Sequence, residues 1–179
     1  FLGARNVVVG RDIRESSETL KNALCRGLNA AGASVSDIGL CGTEEVYFAT
    51  SHLAADGGIM VTASHNPRDY NGLKFVREES RPISGDNGLP EIRALAESGE
   101  FAPGGRAGVT RSTPNETPYV DHLCSYIDVD VLKPLRIVVN AGNGGAGKVV
   151  DLLEPRLPFE FIKIHHDADS SFPNGIPNP

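Results

Sequence analysis

The sequence predicts an α/β protein: a mixed, mainly parallel sheet flanked by helices, followed by the start of a second unit of the same kind. Three observations lead there. Short apolar, β-branched runs alternate with segments whose apolar residues recur at helical spacing, from Val7 to Thr62. The connections between them are short, as βαβ units require. A strand, glycine turn and helix then begin again at Leu135.

Arg5-Asn6-Val7-Val8-Val9 reads as the first strand and Gly10-Arg11-Asp12 as the turn after it. Ser16 and Ser17 are good helix N-caps. Behind them Leu20, Ala23, Leu24, Leu28 and Ala31 recur at helical spacing, and Gly32 ends the pattern. Val35 to Leu40 makes a second strand. Thr43 caps a second helix with Val46, Ala49, Thr50, Leu53 and Ala54 on one face, and Gly58 to Thr62 makes a third strand. Two consecutive βαβ units result; such units wind right-handed into a parallel sheet whose ligands bind outside the carboxyl ends of its strands. Leu73 to Val76 is a further strand and Leu89 to Glu97 a short helix. Residues 103 to 115, rich in Gly, Pro, Ser and Thr, read as a surface connection. Thr117 to Ile127 suits a helix, and Lys133-Pro134 marks a boundary, giving a first domain over 1–132 and a truncated second over 133–179. In the second, Leu135 to Asn140, a glycine turn, a Val149-to-Leu153 helix and Phe159 to Ile164 make one more βαβ unit. The chain opens on Phe1 and stops at Pro179 inside a loop-like stretch, so a fragment of a longer protein is expected.

With 179 residues, 40% of them hydrophobic, the chain is long enough to bury a core. Its net charge of -6 repels polyanions, which argues against nucleic acid or an anionic membrane as partner. No apolar stretch reaches the ~18 residues of a membrane span, and no signal peptide is visible, so the cytoplasm is the expected compartment. Cys25, Cys41 and Cys124 show no metal or redox spacing and are expected to be reduced, mostly buried thiols.

The run Thr62-Ala63-Ser64-His65-Asn66-Pro67 falls just beyond the third strand, at the edge where the architecture expects chemistry. A serine hydrolase is disfavoured, because an adjacent histidine seldom reaches the hydroxyl productively and no G-x-S-x-G elbow is present. A phosphoryl carrier fits better. Ala63 leaves backbone amides open, Asn66 and Pro67 fix a turn, and Arg68, Lys74, Arg77 and Arg81 supply cations that suit a phosphoserine. The residues alone leave a capped turn in a solvated loop equally open.

This run, followed by Asp69-Tyr70-Asn71-Gly72-Leu73-Lys74-Phe75, resembles the phosphoserine loop of the α-D-phosphohexomutases, whose usual form is T/S-A-S-H-N-P and then N-G-x-K. Upstream, Gly10-Arg11-Asp12-Ile13-Arg14 is similar to the family's G-x-D-x-R segment. Gly42 to Thr50, Arg81 to Ser84 and Phe172 to Pro179 resemble the bacterial phosphomannomutase/phosphoglucomutase branch, although Asp167 to Ser171 departs from the D-G-N/T that commonly precedes F-P-N. The resemblance implies interconversion of hexose 1-phosphate and hexose 6-phosphate, of mannose and possibly of glucose, through a phosphoserine and a hexose 1,6-bisphosphate, with Mg2+ as cofactor and sugar phosphates as partners. It implies Ser64 as the phosphorylated serine and, through its phosphate, one metal ligand. Lys74 is implied as general acid/base and His65 as an assisting group. Asp12, Arg14 and Asn66 are implied as substrate-binding or loop-supporting residues. The magnesium loop, sugar-recognition loop and phosphate-binding domain of that family are not found in this sequence, so the chain alone is expected to be inactive.

A second motif competes. Gly142, Gly144 and Gly147 match G-x-G-x-x-G after a strand, with Asp167 placed for a ribose, so a nucleotide-binding α/β domain using the Gly142 to Gly147 turn is the alternative. The bland reading is a tight strand-to-helix turn, and the mutases carry a similar G-N-G-x-A-G turn without a nucleotide. His165 and His166 point to opposite faces of a strand end and are expected to be polar surface residues.

Overall fold

The computed structural model describes residues 1–101 and 105–176. The expectations for Pro103, Gly104 and Pro177 to Pro179 lie outside the described residues.

Six strands form the first sheet: β1 (Asn6–Arg11), β2 (Ser34–Leu40), β3 (Gly57–Val61), β4 (Leu73–Arg77), β5 (Pro82–Ile83) and β6 (Thr110–Ser112), in the order β5-β4-β3-β1-β2-β6. β1 pairs in parallel with β2 and β3, and β2 with β6; β4 runs antiparallel to β3 and β5. The sheet is thus mixed and mainly parallel, as expected. Helices α1 (Ser17–Ala30) and α2 (Thr43–His52) are the crossovers. Because β2 and β3 lie on opposite sides of β1, the chain reverses its direction along the sheet between the two crossovers. Right-handed connection then puts the two helices on opposite faces. Two core clusters show this: Val7, Val9, Val35 and Ile59 with Cys25 of α1, and Val8, Ile38 and Met60 with Val46 and Ala49 of α2. Covered on both sides, β1 and β3 read as continuous apolar runs.

Several local expectations change. The buried face of α1 is Ser17, Lys21 and Cys25, with Leu24 and Leu28 partly covered, while Leu20 and Ala23 face water. Lys21 is turned inward by a 2.7 Å ion pair with Asp37 of β2, and its aliphatic stem covers the sheet. Neither Ser16 nor Ser17 caps α1 through its side chain. Thr43 is the first residue of α2; the cap is Gly42, whose N–H donates to Glu45 Oε2 at 2.7 Å. At Gly58 a Cβ would collide with Thr50 of α2, so the glycine sets how closely that helix approaches β3. Within the expected surface connection, Thr110–Ser112 is the edge strand β6. Its three residues are polar and exposed, which hides a strand from hydrophobic patterning and suits an edge.

Helix α3 (Leu89–Ser98) closes on Gly99 in the left-handed region. Helix α4 (Glu116–Cys124) packs on α2 through Phe48 against Tyr119 and His122. The second sheet holds β7 (Leu135–Asn140) and β8 (Phe159–Ile164) in parallel, joined through α5 (Ala146–Leu153). Lys163 of β8 bonds Asp151 of α5 at 2.7 Å, which marks the face of β7 and β8 that the helix covers. Cys25, Cys41 and Cys124 are free, the first two buried. No helix of the described residues is long and apolar enough to cross a membrane.

Candidate functional site

In the order β3-β1-β2 the chain leaves β1 toward one side and later returns to the other, so the loops that follow β1 and β3 diverge at their carboxyl ends. This is the switch point where open α/β sheets bind ligands. Asp12 and Arg14 follow β1 directly, and Thr62, Ala63 and Ser64 follow β3. Because β4 pairs antiparallel with β3, it starts at this same edge, with Lys74 opposite Met60. Ser64, His65, Lys74, Asp12, Arg14 and Asn66 are therefore gathered at one end of the sheet.

The Ser64 loop is held from beneath by Arg14, whose side chain is almost wholly buried. Its Nη2 donates to the carbonyls of Ser64 (2.8 Å) and Asn66 (2.7 Å), its Nη1 to those of Pro67 (2.5 Å) and Tyr70 (3.0 Å). Its Nε lies 3.3 Å from Asp12 Oδ2. Asp12 is itself fixed: Oδ1 accepts from the Arg14 N–H (3.0 Å) and the Ser17 hydroxyl (2.5 Å), and Oδ2 from the Thr62 hydroxyl (2.7 Å). Thr62 Oγ1 accepts in turn from the Ser64 N–H at 2.9 Å. Asn66 closes the turn, its side-chain amide donating to the Ala63 carbonyl at 2.8 Å. From the far side Asn71 donates to Ser16 Oγ (2.9 Å) and Ser17 Oγ (2.8 Å), so these serines serve the loop instead of capping the helix. Thr62, Ser17 and Asn71 were invisible as site residues in the sequence, because hydroxyl and amide side chains in a turn have many local uses.

What faces outward is the serine. Ser64 is exposed and has φ 56°, a left-handed conformation uncommon for a residue with a Cβ and typical of positions held for function. Its Oγ lies 3.4 Å from His65 Nδ1, too long for a strong hydrogen bond. Lys74 is exposed on β4. The cation cluster is smaller than expected. Because β4 runs away from the site, Arg77 stands opposite Gly57 at the amino end of β3 and pairs with Glu78, as does Arg81. Arg68 and Lys74 remain on the serine's side. Among the described residues no three His, Cys, Asp or Glu side chains come together to hold a metal.

The glycine turn has a structural occupation. Asn143, φ 56° and buried, fills it: its N–H donates to the His165 carbonyl (2.8 Å), its side-chain amide to the Asp167 carbonyl (2.9 Å), and its own carbonyl accepts from the Asp169 N–H (2.9 Å). A Cβ at Gly147 would meet the His166 carbonyl oxygen. The turn clasps the 165–175 loop, and the nucleotide-binding alternative finds no support. Nor is His166 a surface residue; it is partly buried and bonds Asp151 Oδ1 at 2.8 Å.

Comparison with known proteins agrees with this geometry. Residues 2–103 match the family model "Phosphoglucomutase/phosphomannomutase, alpha/beta/alpha domain I", and residues 117–179 match "domain II". Over 97% of its length the chain is 58% identical to the "Phosphohexose mutases" protein of Xanthomonas campestris pv. campestris strain B100, covering 39% of that protein. It is 56% identical over its whole length to the "Phosphomannomutase" of Salmonella typhimurium strain LT2, covering 41% of it. The crystal structure of a phosphoglucomutase/phosphomannomutase family protein from Burkholderia thailandensis superposes with a TM-score of 0.86 at 36% identity, over 96% of this chain and 38% of that one. The chain thus spans about two fifths of the length of the curated relatives it matches. It belongs to the phosphoglucomutase/phosphomannomutase family and carries that family's first two domain types.

Proposed function

We propose that this chain is the phosphoryl-carrying part of a phosphohexose mutase acting on mannose phosphates, with Ser64 as the carrier. The observation that carries the reading is Ser64 itself: an exposed hydroxyl in a left-handed turn at the switch point, on a loop whose carbonyls are bound to buried Arg14. Such an arrangement fixes the main chain and leaves the side chain free to be modified, and positioning supplies much of the catalysis of phosphoryl transfer.

In the proposed cycle a hydroxyl of a hexose monophosphate attacks the phosphorus of phospho-Ser64. The new sugar O–P bond forms as the serine O–P bond breaks, giving a hexose 1,6-bisphosphate and free Ser64. Lys74 takes the proton from the attacking hydroxyl and returns it to Ser64 Oγ. Reversal at the sugar's other phosphate restores phospho-Ser64 and releases the isomer. His65 assists beside the serine, and Asp12, Arg14 and Asn66 support the loop. Mg2+ belongs to the proposal as the partner of the serine's phosphate, with ligands beyond this residue set, so no step is routed through it. The division into domains at 132/133 and a cytoplasmic location are part of the same reading; the two separate sheets support a division of the chain, while the second family model begins earlier, at residue 117.

Phosphopeptide mass spectrometry of the full-length protein, before and after incubation with mannose 1,6-bisphosphate, tests it. Ser64 should carry phosphate in both samples, more after incubation. A Ser64 that stays unmodified, together with mannose 1-phosphate turnover that survives Ser64→Ala, would sink the proposal.

A further inference from the structure

The in-plane donors of the Arg14 guanidinium face the Ser64 loop and Asp12. Its Cζ lies over the ring of Phe172, 5.9 Å from the ring centroid and within cation–π reach. Arg14 is 2% exposed, and such a contact strengthens when the cation is desolvated. Phe172 comes from the loop after β8, in the second unit of the chain.

Phe172 does not reach this position by default. Its φ is 48°, an outlier for a bulky residue, and such conformations persist only where neighbours impose them. The neighbours are visible. Asn143 bonds the 165–169 backbone as described, and its Oδ1 accepts from the Asn174 side chain at 2.9 Å. Asp169 Oδ1 accepts the Ser171 N–H at 2.8 Å, its carbonyl accepts the Phe172 N–H at 3.1 Å, and the Phe172 carbonyl accepts the Gly175 N–H at 2.9 Å. From the opposite direction Arg68, within the serine loop, points Nη1 at the Ser171 carbonyl at 3.5 Å, the limit of a hydrogen bond. The glycine turn that read as a nucleotide site therefore anchors, through Asn143, a loop that reaches the underside of Ser64.

We infer that Phe172 is a positioning residue for the Ser64 loop: by covering the guanidinium of Arg14 it couples the second unit, through Asn143, to the main chain that carries the serine. Its consequence for phosphoryl transfer rests on the mutase reading above; the mechanical coupling does not. A ring here restrains the cation that four loop carbonyls depend on, so its loss loosens Ser64 without removing any group that touches the substrate.

The test compares Phe172→Leu, which keeps apolar volume, and Phe172→Tyr, which keeps the aromatic face, in the full-length protein. Amide hydrogen exchange is measured across residues 64–71, with the β1 core around Val8 as internal control. Phosphorylation of Ser64 by mannose 1,6-bisphosphate is followed alongside, together with kcat and KM for mannose 1-phosphate. In the leucine variant, loop exchange should rise about five- to tenfold while β1 stays unchanged. Ser64 phosphorylation and kcat should fall roughly tenfold with KM within about threefold, and tyrosine should restore all three. Unchanged loop exchange in the leucine variant overturns the inference whatever the activity does, as does a rise shared equally by β1. Looser exchange with unchanged kcat overturns the catalytic half. If wild-type Ser64 accepts no phosphate, the mutase reading fails instead, and the exchange data alone decide the coupling.

Discussion

Arg14→Ala should be the most damaging single change at the site that leaves the reacting groups themselves intact. The side chain donates to four loop carbonyls and faces Asp12. Hydrogen bonds to charged groups contribute roughly 1.5–3 kcal/mol each, so a plain sum over four would be about 6–12 kcal/mol. That sum is too large, because the residues owning these carbonyls are exposed and their oxygens can turn to water once the loop is released. Asp12 sets the floor. Breaking a buried pair by removing one partner is worth about 3–5 kcal/mol, and Asp12, which keeps the Arg14 N–H, Ser17 and Thr62 as donors, falls at the lower end, about 3 kcal/mol. At roughly 2–4 °C per kcal/mol for a chain of this size, Tm should drop by about 6–12 °C. Ser64 phosphorylation should slow by roughly a hundredfold or more, the expected effect of an ångström's displacement of a reacting group. Arg14→Lys, a point charge without the planar fork, should fall between. Thermal unfolding and time-resolved phosphopeptide mass spectrometry read the two effects separately. An Arg14→Ala protein with wild-type Tm and wild-type phosphorylation would mean that the loop is shaped elsewhere. A lowered Tm with normal phosphorylation would mean that the pinning serves stability alone.

Lys74→Ala should lower turnover by roughly two to four orders of magnitude with little change in sugar-phosphate binding, as loss of a general acid/base does; steady-state kinetics in the full-length protein check this. Gly147→Ala places a Cβ against the His166 carbonyl and should lower stability by about 1–3 kcal/mol, measured by urea unfolding, while loosening the 165–175 loop in hydrogen exchange. Burial pushes the Glu45 carboxyl above its usual value of 4.5, against the pull of the Gly42 N–H. A raised folded pKa on an acid means that this group's contribution to stability is fully present below about pH 4.5 and is lost as pH climbs through the folded value. Glu45→Gln keeps an acceptor for Gly42 and should therefore raise Tm at pH 7, the gain shrinking toward pH 4; a pH series of melting curves with a constant difference would refute this.

Much of the fold was legible because its central strands, Val7 to Val9 and Ile59 to Val61, are continuous apolar runs separated by helical spacing. What patterning missed is physically of one kind: polar groups with a specific partner far along the chain. Lys21 turns inward because Asp37 stands across the sheet, which rotates α1 away from the face that Leu20 and Ala23 suggest. β6 is polar because it is an edge. Arg77 and Arg81, close to Ser64 in sequence, are carried away from it by the antiparallel course of β4. At the site, Ser64, Asp12 and Arg14 were readable from the family motif, but the Thr62, Ser17 and Asn71 hydroxyls and amide that join them depend on a β1–β3 pairing that no local window contains.

The glycine turn shows why such a motif misleads and what it tells once the partner is known. G-x-G-x-x-G records only that the backbone must turn sharply after a strand and let something approach closely. In a dinucleotide domain the second glycine admits a pyrophosphate and the third lets helix and strand pack closely; here the third, Gly147, admits the chain's own His166 carbonyl, and Asn143 spends its hydrogen bonds on the loop after β8. An intramolecular occupant is present in every molecule, so the turn keeps these bonds in the absence of substrate. From the turn the contacts run to the 165–175 loop, to Phe172 and to Arg14, whose donors end on the carbonyl of Ser64. On the mutase reading proposed above, Ser64 is phosphorylated and dephosphorylated in each cycle, and such a residue gains from support that does not change with its charge. The support reaches Ser64 through its main chain, leaving the hydroxyl as the part that changes.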